Sequence, residues 1–250
     1  MDLDALIAQI TDEVCSRIEN EGTAPIGSSD VGNDVGNDVG NNVAGAIEYT
    51  VMDPSAKIED IARMCSTAKQ KGFASVCVAQ WFVAYAKEKL SGTDVKVCTS
   101  VGLPGGRSAT AAKYAEVKEA VKNGADEVEI PINMTLLEAG DLEELKNDLE
   151  EAMVPAADKA VVKAVIELGG VSADKRTAAI AEAKQCNADY VVISRILSGS
   201  AHDMEEVSKV TELCAGSIKV KAVGQILDGS AAGAMISLGV SRIGTSAANL

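Results

Sequence analysis

Short β-rich runs alternate with helical patterns along most of this chain, and that alternation most restricts the folds it can adopt. The pattern predicts eight strands, with helical spacing between them and no change of composition after residue 45. The predicted strands are Ala46–Met52, Ala74–Ala79, Val95–Val101, Glu127–Asn133, Val161–Leu168, Tyr190–Ser194, Ser217–Val223 and Arg242–Thr245. Eight strands, each followed by a helix, are typical of the α/β class and predict a single closed parallel (β/α)8 TIM barrel.

The predicted helices carry apolar stripes at helical spacing. Two of these stripes are Ile58, Ile61, Cys65 and Ala68, and Leu142, Leu145, Leu149 and Met153. Asp141 and Glu144 have the spacing of a capping box before the second stripe, and further helices are predicted to begin at Ser108 and Ser172. The glycine-rich motifs GxGxxG and GxxxxGK[ST] do not occur in the sequence, which argues against an open nucleotide-binding sheet.

The chain begins with a segment that the barrel pattern does not include. Residues 1–20 place aliphatic side chains on one stripe and predict an extra amphipathic N-terminal helix. These side chains are Leu3, Ile7, Ile10, Val14 and Ile18. Residues 21–44 repeat Val-Gly-Asn-Asp and predict a low-complexity linker, because a segment rich in Gly, Asn and Asp buries too little apolar surface to fold. The barrel is predicted over residues 45–250.

Charge and cysteine content exclude several classes of function. The 23 Lys and Arg residues against 37 Asp and Glu give a net charge of −14 without a basic cluster, so we expect no nucleic-acid partner. The six cysteines form no CxxC pair and the chain has one histidine, so we expect neither a metal site nor a disulfide framework. Without a basic leader or an apolar run of about 20 residues, we expect a cytoplasmic protein with no membrane association.

Charged residues recur at alternating positions of several predicted strands. The alternation groups Lys163 with Glu167, Lys219 with Lys221, and Glu127 with Glu129. Inward-facing residues of a barrel alternate in this way, and the active site of such a barrel lies at the carboxyl ends of its strands. These residues therefore predict a polar barrel interior. The alternative is an internal salt-bridge network, or outward-facing strand ends, without catalytic chemistry.

Eight segments carry a specific set of motifs along the chain. They are IEYTVMDPSA, GFASVCVAQWF, VKVCTSVGLPGG, NGADEVEIPINM, VVKAVIELG, ADYVV, IKVKAVGQI and SRIGTSAA. In this order and spacing the segments resemble the deoxyribose-phosphate aldolase family over residues 45–250. The resemblance implies a class I aldolase barrel that cleaves 2-deoxy-D-ribose 5-phosphate to acetaldehyde and glyceraldehyde 3-phosphate through a lysine imine, with no metal and no cofactor.

The family places two lysines opposite each other on strands six and seven. One lysine forms the imine, which requires an unprotonated amine, and the other lowers the pKa of the first. Lys221 on strand seven matches the second lysine, whereas Val192 occupies the position of the imine-forming lysine on strand six. The resemblance therefore implies a family member that lacks the Schiff-base nucleophile.

Other positions of the implied site also depart from the family pattern. Glu129 replaces the aspartate of strand four that relays protons, and Glu48 replaces an aspartate in strand one. Arg195 replaces a small residue after strand six and is expected beside the substrate, pairing with an acidic neighbour that narrows the pocket or meeting a ligand anion. Lys221 and Glu129 are thus predicted as catalytic remnants. The predicted polar interior comprises Lys163, Glu167, Lys219 and Glu48.

The family holds the sugar phosphate with backbone N–H groups and small side chains after strands seven and eight. Gly224, Gly244, Thr245 and Ser246 match this pattern, although Gln225 adds a bulky side chain beside them. The alternative for the glycines is a tight turn at positive φ.

Three further side chains are predicted to have structural roles. Cys77 and Trp81, in the strand-two region, are expected to pack rather than to react. His202 is expected to be a solvated residue at the start of a helix, because no nucleophile and carboxylate accompany it.

Three functions follow from these features. The first is a non-catalytic binding or scaffold protein that uses the barrel surface and the N-terminal helix for a protein partner, with a cytoskeletal filament as an analogy. The second is a weak or repurposed aldolase that forms its imine on Lys221 or Lys219. The third is a sensor that binds a phosphorylated sugar without converting it. We expect the first, and therefore little or no aldol cleavage.

Overall fold

Eight parallel strands close into a barrel in the computed structural model, which describes residues 43–226 and 228–246. The strands are β1 (Ile47–Val51), β2 (Ser75–Val78), β3 (Lys96–Ser100), β4 (Glu127–Pro131), β5 (Val161–Glu167), β6 (Tyr190–Ser194), β7 (Lys219–Val223) and β8 (Arg242–Thr245). Each strand pairs with the next along the chain, and β8 pairs with β1. The predicted (β/α)8 barrel is confirmed. The predicted helix 1–20 and most of the linker 21–44 lie outside the described residues.

Helices follow the strands and pack against the outside of the barrel. They are α1 (Ile58–Lys71), α2 (Val83–Lys89), α3 (Thr110–Lys122), α4 (Met134–Ala139), α5 (Leu142–Met153), α6 (Ala173–Gln185), α7 (Met204–Cys214) and α8 (Gly229–Ser237). Asp141 caps α5 and Ser172 caps α6, as predicted, because their side-chain oxygens accept backbone N–H groups of the first turn. Within the described residues, no helix combines the length and apolar character needed to cross a membrane.

Strand alternation separates an apolar layer from a polar barrel interior. Outward-facing residues such as Val76, Val128 and Ile243 are buried together with helix residues such as Ile61 and Leu145. Burial of apolar surface contributes roughly 25 cal/mol per Å², so this layer between strands and helices stabilises the fold. The inward-facing positions carry charges, which must be paired to be tolerated there. The barrel interior is thus the place where the chain concentrates its buried polar chemistry.

Lys219 was predicted to lie in the polar barrel interior, and the structure places it elsewhere. It is the first residue of β7, where its side chain is exposed, and its ammonium lies 5.5 Å from the ring centroid of Tyr190. Lys221, two residues further along the same strand, is fully buried. The prediction for Lys219 is wrong, because an inward-facing position at the first residue of the strand opens to solvent.

Trp81 was predicted to pack and is exposed, whereas His202 was predicted to be solvated and is buried. Trp81 is 89% exposed in a 3-10 turn, Gln80–Phe82, that follows β2, so it does not pack in the core. His202 is buried, and its Nε2 lies 3.1 Å from the carbonyl oxygen of Val223. The chain after β6 therefore folds back onto the end of β7, and burial lowers the pKa of His202 below its ordinary value. Cys77 is buried, in agreement with a packing role.

Candidate active site

A cavity of about 130 Å³ opens at the carboxyl ends of the strands. Its polar lining consists mainly of Ser100, Glu129, Glu167, Ser194 and Lys221. The other lining residues are mostly apolar and come from the strand ends and from the loops after β1, β3, β4 and β6. This is the end of a (β/α)8 barrel at which active sites are built.

Lys221 projects from β7 into this cavity and forms ion pairs with Glu48 and Glu129. Gly244 on β8 leaves room for it, since a Cβ at that position would lie 2.8 Å from Lys221 Cε. Burial alone lowers the pKa of Lys221, but the carboxylates of Glu129 and Glu48 outweigh burial and hold that pKa well above its ordinary value. Lys221 is therefore an ammonium at neutral pH, without the lone pair that attack on a carbonyl requires.

Glu48 joins the two buried lysines of the interior. Its Oε2 accepts hydrogen bonds from Lys163 Nζ at 2.5 Å and from Ser75 Oγ at 2.9 Å, while its Oε1 accepts from Lys221. Burial raises the pKa of Glu48, but the charges of Lys163 and Lys221 more than offset burial and hold the pKa well below its ordinary value. Glu48 is thus a permanent carboxylate whose charge is shared by two ammonium groups.

A second layer of charges lies deeper in the barrel. Lys163 pairs with Glu127 at 2.6 Å, and Arg242 pairs with the same carboxylate at 3.3 Å. Arg242 also donates to Ser75 Oγ at 2.7 Å. The ring centroid of Tyr190 lies 5.6 Å from the Lys163 ammonium and 5.9 Å from the Arg242 guanidinium carbon. Lys163 is therefore part of an internal salt-bridge network, the alternative that the sequence left open.

Val192 lies on β6 directly beside Lys221, its Cα partner on β7. Its partner on the other side is Val165 of β5, and the Val192 side chain is fully buried. A valine side chain carries neither a lone pair nor a charge. This position next to the buried ammonium therefore holds no nucleophile.

Glu167, at the end of β5, lines the cavity next to Ser194. Ser194 Oγ donates to Glu167 Oε2 at 2.7 Å. The other oxygen, Oε1, is buried and has no hydrogen-bond partner among the described residues. An unpaired buried acceptor of this kind is uncommon in folded proteins, and it marks a place where a donor can bind.

Four potential metal ligands meet near the cavity. One ligand atom from each of Glu48, Cys77, Cys98 and Glu129 lies within 4.8 Å of the others. The ammonium of Lys221 already bonds both carboxylates, and burial together with a hydrogen bond to Cys77 raises the pKa of the Cys98 thiol. Because a divalent cation here would face an ammonium and at least one neutral thiol, the arrangement does not fit a metal.

Residues 46–191, more than half of the chain, match the family model described as DeoC/LacD family aldolase. The chain belongs to the DeoC/LacD aldolase family. The matched segment runs from the start of β1 into β6 and ends one residue before Val192.

Individual members of the DeoC/LacD family resemble this chain over most of their length. A deoxyribose-phosphate aldolase from Brevibacillus brevis is 37% identical over 200 residues, which is 80% of this chain and 90% of that protein. A deoxyribose-phosphate aldolase from a Geobacillus species is 39% identical over 203 residues, which is 81% of this chain and 91% of that protein. The solved structure of an aldolase named QR15 superimposes with a TM-score of 0.78 at 29% identity. The superposition covers 82% of this chain and 92% of that aldolase. The resemblance to the deoxyribose-phosphate aldolase family is confirmed.

Arg195 follows β6 in this DeoC/LacD barrel, at a position where the family resemblance implies a small residue. Its guanidinium pairs with Glu206 on α7 and donates to Ser200 Oγ at 2.9 Å. Arg176 of α6 pairs with the same Glu206. Arg195 thus has the acidic neighbour that was predicted, but it does not line the cavity and does not narrow it. A role in binding phosphate stays a prediction.

The positions matched to the family's phosphate site are only partly open. Gly224 has a φ of 153°, and a Cβ there would lie 3.4 Å from Arg195 Cβ. The space beside Gly244 is taken by Lys221, and Thr245 Oγ1 donates to the carbonyl oxygen of Ile226 at 2.7 Å. Ser246 is exposed. Close packing therefore accounts for Gly244 and the positive φ accounts for Gly224, and the predicted role of both glycines in phosphate binding stays untested.

The barrel brings together most of the residues that the sequence pointed to. Lys221, Glu129, Glu48 and Glu167 meet at or just below the cavity, and Lys163 lies beneath them. Arg195 and Lys219 stay apart from this group. Sequence reasoning missed Ser75, Ser100 and Arg242, all of which bond the interior carboxylates. Their inward positions on β2, β3 and β8 were the available signal, because strand alternation places them beside the charged residues.

Proposed function

We propose that this DeoC/LacD family barrel has lost Schiff-base aldol cleavage and serves as a binding protein. The observation that carries the proposal is the pairing of Val192 with Lys221, because it leaves a valine where the family resemblance implies the imine-forming lysine. Removing the nucleophile of a covalent catalyst costs roughly 10⁶-fold in turnover. We therefore expect cleavage of 2-deoxyribose 5-phosphate to be negligible.

Lys221 does not replace the missing lysine. Both of its carboxylate partners stabilise the ammonium, and deprotonation would leave Glu48 and Glu129 with one buried cation fewer. Lys219 is an equally poor substitute, since it is exposed at the opposite end of β7 from the cavity. These placements argue against the alternative of a weak aldolase that uses strand seven.

A binding role is supported by the sequence that precedes the barrel. Residues 1–20 carry an aliphatic stripe together with acidic residues, and a Gly/Asn/Asp-rich segment connects them to the barrel. A tethered amphipathic helix is a common way to dock into an apolar groove of another protein. We propose a protein partner whose groove has a basic rim, because residues 1–20 contain Asp2, Asp4, Asp12, Glu13 and Glu19 against Arg17.

Borohydride trapping with 2-deoxyribose 5-phosphate tests the loss of the imine. We expect no covalent adduct on the unmodified chain, and a mass increase for an intact family relative treated in parallel. An adduct that disappears in Lys221→Met would overturn the proposal and show that strand seven supplies the amine. Steady-state cleavage near the rate of the relative would overturn it as well.

A thermal-shift titration with the same sugar phosphate separates a protein-binding role from a sensor. A saturable rise in melting temperature without turnover would favour the sensor of phosphorylated sugars. An unchanged melting temperature, together with binding to a protein partner that requires residues 1–20, supports the proposed protein-binding role.

A further inference from the structure

We infer that the cavity at the carboxyl ends of the strands binds a small apolar ligand that carries an ammonium group, with the carboxylate of Glu167 as its anchor. The inference rests on the proposed loss of aldol chemistry, which frees the cavity from a phosphorylated substrate. It depends on three features of the cavity: its apolar walls, the unused oxygen of Glu167, and the balance of charge around it.

The walls suit an apolar molecule of limited size. Met52, Leu103, Met134, Ile196 and Leu197 are among the apolar side chains that surround the cavity. Its volume of about 130 Å³ is close to that of an apolar cavity that holds benzene, about 150 Å³. A ligand with four or five carbon atoms and one polar end therefore fits this space.

Glu167 supplies the only buried carboxylate oxygen that lacks a hydrogen-bond partner among the described residues. Its Oε2 is oriented by Ser194, while its Oε1 is free to accept a donor. No lysine or arginine of the described chain forms an ion pair with Glu167, in contrast to Glu48, Glu127 and Glu129. A ligand ammonium would give this carboxylate the cation and the donor that it lacks.

The surrounding charges disfavour an anion. Lys221 is the one cation among the cavity-lining residues that are described, and two carboxylates share it. Arg195, which could have met a phosphate, is held by Glu206 away from the cavity. A phosphate or carboxylate ligand would therefore enter a region of net negative charge.

Methionine-methyl NMR provides a test at the site itself. In full-length protein labelled with [¹³C-methyl]methionine, Met52 and Met134 report on the cavity, while Met153 and Met235 lie outside it. n-Butylammonium is the probe, and 1-butanol and butyrate match its size with neutral and negative ends. We expect butylammonium to shift Met52 and Met134, and to bind about tenfold or more tightly than butanol, because a charged donor strengthens the hydrogen bond.

Two matched substitutions separate the anchor from general effects on the fold. Glu167→Gln keeps the shape of the side chain and should remove the preference for butylammonium over butanol. Glu182→Gln changes a carboxylate on α6 that is equally buried, at 8% exposure, and should leave binding unchanged. Retained methyl spectra in both variants confirm that the fold is intact.

The inference is overturned if butylammonium and butanol bind the unmodified chain equally, or if no methyl group of the cavity shifts with either. It is also overturned if butyrate or 2-deoxyribose 5-phosphate binds more tightly than the amine. Tighter binding of 2-deoxyribose 5-phosphate would also count against the proposed function, which fails on imine trapping, on turnover of the sugar phosphate or on its binding without turnover. Every other result named here overturns the inference and leaves the proposed function in place. The amine-binding inference and the proposed function can therefore be disproved separately.

Discussion

Val192 and Lys221 lie side by side as Cα partners on neighbouring strands, and both side chains are fully buried. The resemblance to the deoxyribose-phosphate aldolase family implies two lysines at this pair of positions, where repulsion between them would free one amine for imine formation. Here the remaining lysine has no cationic neighbour at position 192, and two carboxylates bond it instead. The same geometry that would support an imine therefore supports a fixed ammonium.

A lysine placed at position 192 should support only part of the aldol chemistry that the family resemblance implies. In Val192→Lys the new amine would lie beside the ammonium of Lys221, which lowers the pKa of the new group and favours imine formation. Glu129 already pairs with Lys221 and is one methylene longer than the family's aspartate, and displacement of a catalytic group by about 1 Å can cost on the order of 100-fold.

We expect borohydride trapping on Val192→Lys together with cleavage at least about 100-fold slower than in an intact relative. Val192→Met, which adds length without an amine, is the control and should not trap. A cleavage rate for Val192→Lys equal to that of the relative would show that Glu129 and the other departures from the family pattern do not limit the reaction.

Removing the shared cation should destabilise the barrel. Lys221→Met leaves Glu48 and Glu129 with an uncompensated buried charge, which costs about 3–5 kcal/mol of unfolding free energy, measured by urea denaturation. Adding Glu129→Gln to this variant should recover part of the loss, because it removes one of the two charges. Lys209→Met is the control: Lys209 is exposed on α7 and its loss should leave stability nearly unchanged. An unchanged midpoint in Lys221→Met would contradict the pairing.

The interior charges predict how stability depends on pH. The pKa of Glu48 is lowered in the folded chain, so its contribution is complete above its ordinary value of 4.5 and is lost as pH falls through the lower folded-state value. The pKa values of Lys163 and Lys221 are raised, so their contributions are complete below 10.5 and are lost as pH rises through the higher folded-state values.

We therefore expect the melting temperature to be nearly constant from pH 6.5 to 10.5 and to fall above that range. Below pH 6.5 it should already begin to fall, because the lowered pKa of the buried His202 adds a loss of stability before Glu48 is protonated. A melting series across pH checks this expectation, with Lys209→Met as a variant whose profile should match that of the unmodified chain. A steep change of stability near neutral pH would instead indicate that another buried group controls folding.

Gly244 makes the space that Lys221 occupies. A methyl group in Gly244→Ala would lie 2.8 Å from Lys221 Cε and 2.9 Å from Val223 Cγ2, so we expect a loss of about 1–3 kcal/mol in unfolding free energy. Gly233→Ala is the matched control on α8, where nothing lies within 4 Å of the added methyl, and it should be neutral or stabilising. Equal stabilities for the two variants would argue against close packing around Lys221.

The amino-acid sequence by itself determined the architecture and the residue types at the centre of the site. Strand and helix periodicities are local properties, so they predicted all eight strands and the caps of α5 and α6. Ungapped motif spacing matched Val192 to the position at which the family resemblance implies a lysine, and strand pairing puts Val192 beside Lys221. Alternation also predicted that Lys163, Glu167 and Glu129 would meet inside the barrel.

The tertiary structure decided which of these charges are paired and which are exposed. Lys219 and Lys221 have the same alternation, yet only closure of the barrel puts one at an open end and the other between carboxylates from β1 and β4. The partner of Arg195 is set by the packing of α7, and the burial of His202 by a loop that returns to β7. Periodicity fixes the direction of a side chain relative to its own strand, whereas its partner and its access to solvent depend on residues that are distant in sequence.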